Sequence, residues 1–341
     1  MLPALAIADA LREAGVQTTF AGSPGRAEAR LVPEAGYEFD LFRVSGIPRR
    51  PGPGLALALG RAAKAPVACT RILRRRRPHV VLGAGGYVAG PMVLAAALAR
   101  LPAALTEADA HFGLANRLAA PFADRIFLSF PIPGRDGPRY RVTGRPIPAG
   151  SWPLPRDEAR RELELPSEGP VLLVLGGSQG SEALNELVLD AFAAHGPAVL
   201  HLCGERYHER LRSRVRRDDY RLLPSLPRLG PALGAADLAL SRAGGSVWEL
   251  AAAGLPAVLV PSPNVTADHQ TKNARYFAAT GGAVVVPETE LGRVPELIRS
   301  LLGDAPRRAH MAGSMRDAAK PGAAGVIAEE LIALAEEAAR G

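Results

Sequence analysis

Three stretches of this chain place glycine where a strand-like run passes into a helical one. They are "VVLGAGGYVAGPM" with Gly85, Gly86 and Tyr87, "LLVLGGSQGSEALN" with Ser178, and "LALSRAGGSVWEL" with Gly245, Ser246 and Glu249. Without a Cβ, the N–H groups of such a loop approach an anion closely, and the positive end of the following helix dipole favours it. The chemistry this suits is the holding of a phosphate or diphosphate. Any one of these loops alone reads first as a tight turn that needs positive φ; three at equivalent junctions favour phosphate. Glu249, one helical turn past the third loop, is placed to accept both hydroxyls of a ribose diol, or else is an acid favoured by the helix start. Farther on, "NVTADHQTKNARYF" packs Asp268, His269, Gln270, Lys272 and Asn273 at another helix start. N-capping accounts for Thr266 or Asp268. The rest of this amide-rich set suits sugar hydroxyls and an acetamido group.

Spacing excludes two phosphate-binding classes. "GAGGYVAG" has Val88 where the third glycine of G-x-G-x-x-G belongs, "GGSQGS" also misses that pattern, and no G-x-x-x-x-G-K-[ST] occurs. The 41 Lys+Arg against 34 Asp+Glu give a formal net charge of +7, which attracts anionic partners of any kind. Aromatic residues are only 5%, without a basic–aromatic stretch for stacking bases, so no nucleic-acid partner is expected. Cys69 and Cys203 lie far apart without metal-ligand spacing and read as structural thiols. No metal site and no cofactor are expected. The longest apolar runs are broken by Arg or Pro short of the about 20 residues that a membrane span needs.

The elements that must position these residues follow from alternation. Short apolar runs ("QTTFAG", "EFDLFRV", "HVVLGAG", "AALTEA", "RIFLSF", "YRVTG", then "PVLLVLGG", "AVLHLCG", "YRLLP", "DLALSRAG", "PAVLVPSP", "AVVVPE") alternate with amphipathic segments. That pattern predicts an α/β chain of parallel sheets covered by helices. Prolines and glycines interrupt it at "TGRPIPAGSWPLPRDEA", after which a strand, a Gly-rich turn and a helix restart. The expected organisation is two doubly wound domains facing a cleft, residues 1–148 and 149–320, with a C-terminal helix over 321–341 packing back on the first. Ligands of such folds sit at the carboxyl ends of the strands. The beginning differs: "MLPALAIADALREAG" has apolar helical spacing, with Pro3 in its first turn and Gly15 as a stop, and no strand precedes it.

In this order and spacing, "GAGGYVAGP", "GLANR", "LGGSQGSEALN", "SRAGGSVWELAAAGLPAVLVP" and "ADHQTKNA" resemble the MurG-type glycosyltransferases over nearly the whole chain. The resemblance implies a GT-B fold of two Rossmann-like domains. It implies inverting transfer of N-acetylglucosamine from UDP-GlcNAc to the C4 hydroxyl of undecaprenyl-pyrophosphoryl-MurNAc-pentapeptide in peptidoglycan synthesis. For the donor it implies Ser178 on the diphosphate, the Leu226 backbone amide on the uracil edge, and Gly245 and Ser246 around the phosphates. Glu249 then takes the ribose diol, and His269 and Gln270 the sugar hydroxyls. Gly85, Gly86 and Tyr87 match the loop for the acceptor's pyrophosphate. The family's H-E-Q-N reads "TEADAH" here, keeping Glu107 but putting Asp109 in place of the sugar-contacting Asn. Its N-P-V-R reads "RPIP", with Pro148 in place of a diphosphate-binding Arg, and Arg145 is expected to supply that charge. The third loop, "RAGGSVWE", is one residue shorter than the family form.

The family's base is a His ending a G-G-T-G-G-H loop, so no catalytic residue is assigned in this chain. "MLPALAIADAL" matches the family from just after that His, with Met1 where the family has Val. The expectation is that Met1 is a misassigned start and that the true product carries a further strand and this loop. If Met1 is the true start, the alternative is a catalytically dead UDP-sugar binding protein; another GT-B UDP-sugar enzyme, such as a diacylglycerol glycosyltransferase or an epimerase, is the other rival. Finally, "GLALALGRAAKAPVACTRILRRRRPHV" combines Leu and Ala with Arg61, Lys64, Arg71 and Arg74 to Arg77. This is a helix end complementing its own dipole, or a patch resting on anionic lipid. The lipid-linked acceptor favours the second, and the expected location is peripheral, at the cytoplasmic face of the cell membrane.

Overall fold

The computed structural model describes residues 1–44, 53–177 and 179–340, with residues 53–63 described by backbone alone. The chain divides into two compact units, Met1–Pro146 with Pro321–Gly341, and Ile147–Lys320. No helix among the described residues is long and apolar enough to cross a membrane.

In the first unit, β1 (Thr19–Gly22) and β2 (Glu38–Leu41) pair in parallel as a sheet of their own. The strands β3 (Val81–Gly83), β4 (Ala103–Glu107), β5 (Arg125–Leu128) and β6 (Tyr140–Val142) form a second parallel sheet in that order. Helices α1 (Leu2–Glu13), α2 (Glu28–Glu34), α3 (Pro53–Arg76), α4 (Gly86–Leu98) and α5 (Leu114–Ala119) cover them. The run Ala4 to Ala8 of α1 is buried throughout, as expected of a helix that is apolar on more than one face. Ile7 and Leu11 pack with Ala104 and Phe127 of the four-stranded sheet, while Leu5 and Ala8 pack with Val32 and Tyr37 beside the two-stranded one. This one helix therefore bridges both sheets.

The basic end of α3 has an internal role that its sequence did not disclose. Arg75 donates to Asp40 at 2.6 Å, Arg76 donates to the same carboxylate at 2.8 Å, and Arg76 also pairs with Glu38. Hydrogen bonding from Arg76 holds the Asp40 carboxyl below the usual carboxylate range despite its burial. Two of the four consecutive arginines thus tie α3 to β2. The side chain of Arg61 lies outside the described residues.

The second unit contains one six-stranded parallel sheet, built from β7 (Val171–Leu175), β8 (Ala198–Leu202), β9 (Tyr220–Leu223), β10 (Leu238–Ser241), β11 (Ala257–Leu259) and β12 (Ala283–Val285). The spatial order β9-β8-β7-β10-β11-β12 is the doubly wound order 3-2-1-4-5-6. Every residue of β7, β8 and β10 is buried, which is why these strands read as nearly continuous apolar runs, with His201 and Ser241 as the polar exceptions. Helices α6 (Arg156–Glu162), α7 (Glu182–Phe192), α8 (Glu205–Leu211), α9 (Gly230–Ala235), α10 (Val247–Ala252), α11 (His269–Ala279), α12 (Val294–Gly303) and α13 (Ala305–Ala318) complete the unit. The last helix, α14 (Ala323–Arg340), belongs to the first unit, where Glu330 meets Arg125 and Arg141 at 3.4 Å each.

One buried polar cluster in the second unit, centred on His201, is satisfied internally. The ring of His201 has Nδ1 2.8 Å from the Tyr220 hydroxyl and Nε2 2.9 Å from Asn185 Oδ1, and Asn185 also donates to the Cys203 carbonyl at 3.0 Å. Burial lowers the His201 pKa to about 3, so the ring is neutral. Burial likewise pushes the thiols of Cys69 and Cys203 up to about 12 and about 11, which keeps both protonated and inert.

Candidate functional site

The order of the second sheet reverses between β7 and β10, and ligands of doubly wound folds sit outside the carboxyl ends of the strands at such a reversal. Leu175 and Ser241 are register partners at the ends of these strands, and Arg242 N–H donates to the Leu175 carbonyl at 3.1 Å. The loops 176–181 and 242–246 therefore leave the sheet side by side.

Glycine is compulsory in the first of these loops. Gly180 has φ +70°, and a Cβ there would stand 2.1 Å from the Cys203 carbonyl oxygen. Gly177, at φ +80°, accepts a hydrogen bond from Gly180 N–H at 2.9 Å. Ser181 then caps α7, its Oγ accepting from Leu184 N–H at 3.4 Å. Ser178 lies outside the described residues.

Arg242 joins three loops and was missed from sequence. Its Nε donates to Ser181 Oγ at 3.0 Å, its Nη1 to the Val260 carbonyl at 3.2 Å, and its Nη2 pairs with Glu288. One planar guanidinium thus fixes the loops after β7, β10 and β11 relative to one another. A cationic residue ending a wholly buried strand was the available signal.

In the loop after β10, Val247 and Trp248 N–H groups donate to the Gly244 and Gly245 carbonyls, and Ser246 precedes α10. Trp248 is buried, with ring centroids 5.9 Å from Tyr276 and 5.2 Å from Phe277 of α11. These contacts lock α10 onto α11 and set the direction of Glu249, which is half-buried and accepts from Ser151 Oγ at 2.5 Å.

The start of α11 divides its polar residues between architecture and ligand chemistry. Asn273 is buried and donates to the Ala243 carbonyl at 3.2 Å, holding the loop after β10. Lys272 donates to the Ala267 carbonyl at 3.0 Å. Asp268, expected as a backbone cap, instead accepts from the Thr271 hydroxyl at 2.6 Å and caps no N–H. It is left-handed at φ +51°, next to Ala267 at +55°, and that geometry turns its carboxylate away from a cap position. Gln270 Oε1 accepts from Ser262 N–H at 2.8 Å, which leaves its NH2 group and one lone pair of Oε1 for a ligand. His269 Nδ1 lies 2.9 Å from the Thr266 carbonyl, which leaves Nε2 for a ligand. Leu226 is half-buried in the loop that follows β9.

The remaining predicted residues lie in the first unit. Gly85 and Gly86, at φ +91° and +71°, turn the chain from β3 into α4, and the Tyr87 ring meets the Arg26 guanidinium at 5.7 Å. Buried Glu107 organises the loop after β4 by accepting from Gly113 N–H at 2.9 Å, Asn116 Nδ2 at 2.8 Å and Asp109 N–H at 3.3 Å. Arg145 lines a concavity with Ala84, Thr106, Ala108 and Ser129, at the carboxyl ends of β3, β4 and β5. Among the described residues no group of three or more His, Cys, Asp or Glu side chains is placed to hold a metal ion.

Residues 171–326 match the glycosyltransferase family 28 C-terminal domain, and residues 1–128 match the glycosyltransferase family 28 N-terminal domain. The chain belongs to glycosyltransferase family 28. A Salinibacter ruber protein named UDP-N-acetylglucosamine--N-acetylmuramyl-(pentapeptide) pyrophosphoryl-undecaprenol N-acetylglucosamine transferase is 41% identical, over 98% of this chain and 93% of its own length. A protein of the same name from Acidithiobacillus ferrooxidans is 40% identical, over 97% of this chain and 94% of its own. The crystal structure of Acinetobacter baumannii MurG superposes with a TM-score of 0.74 at 28% identity, covering 97% of this chain and 95% of that one. The two parallel-sheet units are accordingly those of the GT-B fold, and this family 28 member is a glycosyltransferase.

Proposed function

We propose that this family 28 glycosyltransferase transfers N-acetylglucosamine from UDP-GlcNAc to the C4 hydroxyl of lipid-linked MurNAc-pentapeptide, with inversion, at the cytoplasmic face of the cell membrane. The observation that carries the reading is the second unit's reversal point, where two glycine loops, Glu249 and the NH2 group of Gln270 belong to one set of interlocked elements. Full-length similarity to relatives named for this reaction supports the choice of donor and acceptor. The loop N–H groups receive the diphosphate, Glu249 accepts from the ribose hydroxyls, Gln270 donates to the sugar, and His269 Nε2 accepts from a sugar hydroxyl. The acceptor hydroxyl attacks the anomeric carbon as the bond to the diphosphate oxygen breaks, and its proton passes to a general base. Oriented dipoles stabilise the departing UDP where its charge develops. In the first unit, Gly85, Gly86 and Tyr87 meet the acceptor's pyrophosphate.

Glu249→Ala tests the donor half of this reading. It should weaken UDP and UDP-GlcNAc alike, by about 1–3 kcal/mol for lost charge-assisted hydrogen bonds. Titration calorimetry that shows unchanged UDP affinity removes Glu249 from the site. Turnover of labelled UDP-GlcNAc with lipid-linked muramoyl-pentapeptide tests the acceptor half. Donor binding without sugar transfer would make the chain a binding protein.

A further inference from the structure

We propose that Ser151 is a positioning residue for the nucleotide: its hydroxyl holds the Glu249 carboxylate in the orientation that receives the ribose diol. The proposal rests on the reading of Glu249 as the ribose acceptor. Ser151 Oγ donates to Glu249 Oε1 at 2.5 Å although the two residues are 98 positions apart. The serine is 4% exposed and ends the 3-10 turn Ala149–Ser151, ahead of every strand of the second sheet.

The turn cannot drift, because the segment carrying it is pressed onto α9 at positions that have no room for a side chain. A Cβ on Gly230 would stand 2.3 Å from the Trp152 carbonyl oxygen and 3.1 Å from that of Gly150. A Cβ on Gly234 would stand 2.2 Å from the Leu154 carbonyl oxygen. Leu154 N–H donates to the Gly230 carbonyl at 3.3 Å, and Ser151 N–H to that of Pro148 at 2.9 Å. The backbone therefore delivers the hydroxyl to a fixed point. Its partner is fixed from the other side by the packing of Trp248 against Tyr276 and Phe277.

A carboxylate has about four lone-pair sites, so one hydroxyl bond orients it without exhausting its capacity for a diol. Glutamate otherwise loses rotamer freedom when it engages a ligand, and a side chain already held in place avoids that cost. Ser151 acts on ribose recognition through Glu249 and contributes nothing to a nucleotide that lacks the diol.

The test compares UDP with 2′,3′-dideoxy-UDP on wild-type protein, Ser151→Ala, Glu249→Ala and the double variant. Ser151→Ala should raise the Kd for UDP about 3- to 20-fold while leaving that for the dideoxy nucleotide unchanged. On the Glu249→Ala background it should have no further effect. A merely structural serine would weaken both nucleotides equally, and that result overturns the proposal. So does an unchanged UDP affinity in Ser151→Ala when Glu249→Ala binds UDP weakly, an outcome that leaves the reading of Glu249 intact. If Glu249→Ala itself binds UDP normally, that reading fails and the role of Ser151 falls with it.

Discussion

Arg242 reaches from the loop after β10 to Ser181 at the end of the loop after β7, with 3.0 Å between its Nε and the serine Oγ. Two loops that meet only through backbone contacts at the sheet edge would move independently under the charge of a diphosphate. The same guanidinium also holds the Val260 carbonyl and Glu288, so it sets loop spacing before any ligand arrives.

Arg242→Met should lower the unfolding free energy by about 2–4 kcal/mol, because Arg242 is 12% exposed and its loss strands a Glu288 carboxylate only 27% exposed. UDP affinity should fall at least about fivefold, and Arg242→Lys should restore stability more than affinity, since an ammonium lacks the planar fork. Urea denaturation and UDP calorimetry on the same samples check both. Normal UDP binding by a destabilised Arg242→Met protein would show that the loops are not coupled through this residue.

The proposed role of Gln270 at the sugar can be tested apart from nucleotide binding. Gln270→Ala removes the NH2 group assigned to the sugar and also deprives Ser262 N–H of its acceptor. We expect UDP-GlcNAc affinity to drop by about 1–2 kcal/mol, UDP affinity to stay within a factor of about two, and stability to fall by about 1 kcal/mol. Equal losses for the two ligands would place Gln270 at the nucleotide instead.

These particulars show where sequence suffices. Each strand-like run read from the sequence contains one of the observed strands, from "QTTFAG" around β1 to "AVVVPE" around β12. Buried parallel strands carry predominantly apolar residues, and glycine marks the exits of several, so both signals are local. The doubly wound order is not local; the alternation of strand-like and helical segments points to the fold class, and the order itself is set by the packed sheet. Nothing local links Ser151 to Glu249, or Arg75 to Asp40 across 35 residues. A run of arginines reads as free charge until its carboxylate partner is brought beside it by the fold. The amides of "ADHQTKNA" were likewise legible as a set, while the division of labour between Asn273 and Gln270 depends on what each side chain meets after packing.

His201 makes stability depend on pH. Its folded pKa of about 3 lies below the ordinary value of 6.5, so between these values the unfolded chain takes up a proton that the native ring refuses. The stabilisation is complete above pH 6.5 and is lost as pH falls toward 3. The slope contributed by this group is about 1.4 kcal/mol per pH unit. His201→Gln, which forgoes the titration, should be less stable than wild type at pH 7 but flatter between pH 4 and 6. Denaturation midpoints at several pH values check the slope; identical slopes in both proteins would mean that His201 does not titrate between the two states.

The outward face of α3 carries Lys64, Val67, Arg71 and Arg74 at helical spacing, opposite the buried Ala65, Cys69, Ile72 and Leu73. Arg76 belongs to a different class, since it is 26% exposed and committed to Asp40 and Glu38. If the enzyme meets its lipid-linked acceptor at an anionic surface, the three outward charges should carry the attraction at about 1 kcal/mol each, so Lys64→Glu, Arg71→Glu and Arg74→Glu together should weaken vesicle binding about a hundredfold or more. Flotation with phosphatidylglycerol vesicles should show this loss, with UDP binding unchanged and added salt mimicking the substitutions. Arg76→Ala should behave oppositely, lowering stability because the buried Asp40 carboxylate keeps only Arg75 of its two arginines, while leaving flotation nearly intact. Equal flotation of the wild-type protein with neutral phosphatidylcholine vesicles would defeat the electrostatic account and leave α3 an ordinary solvated helix.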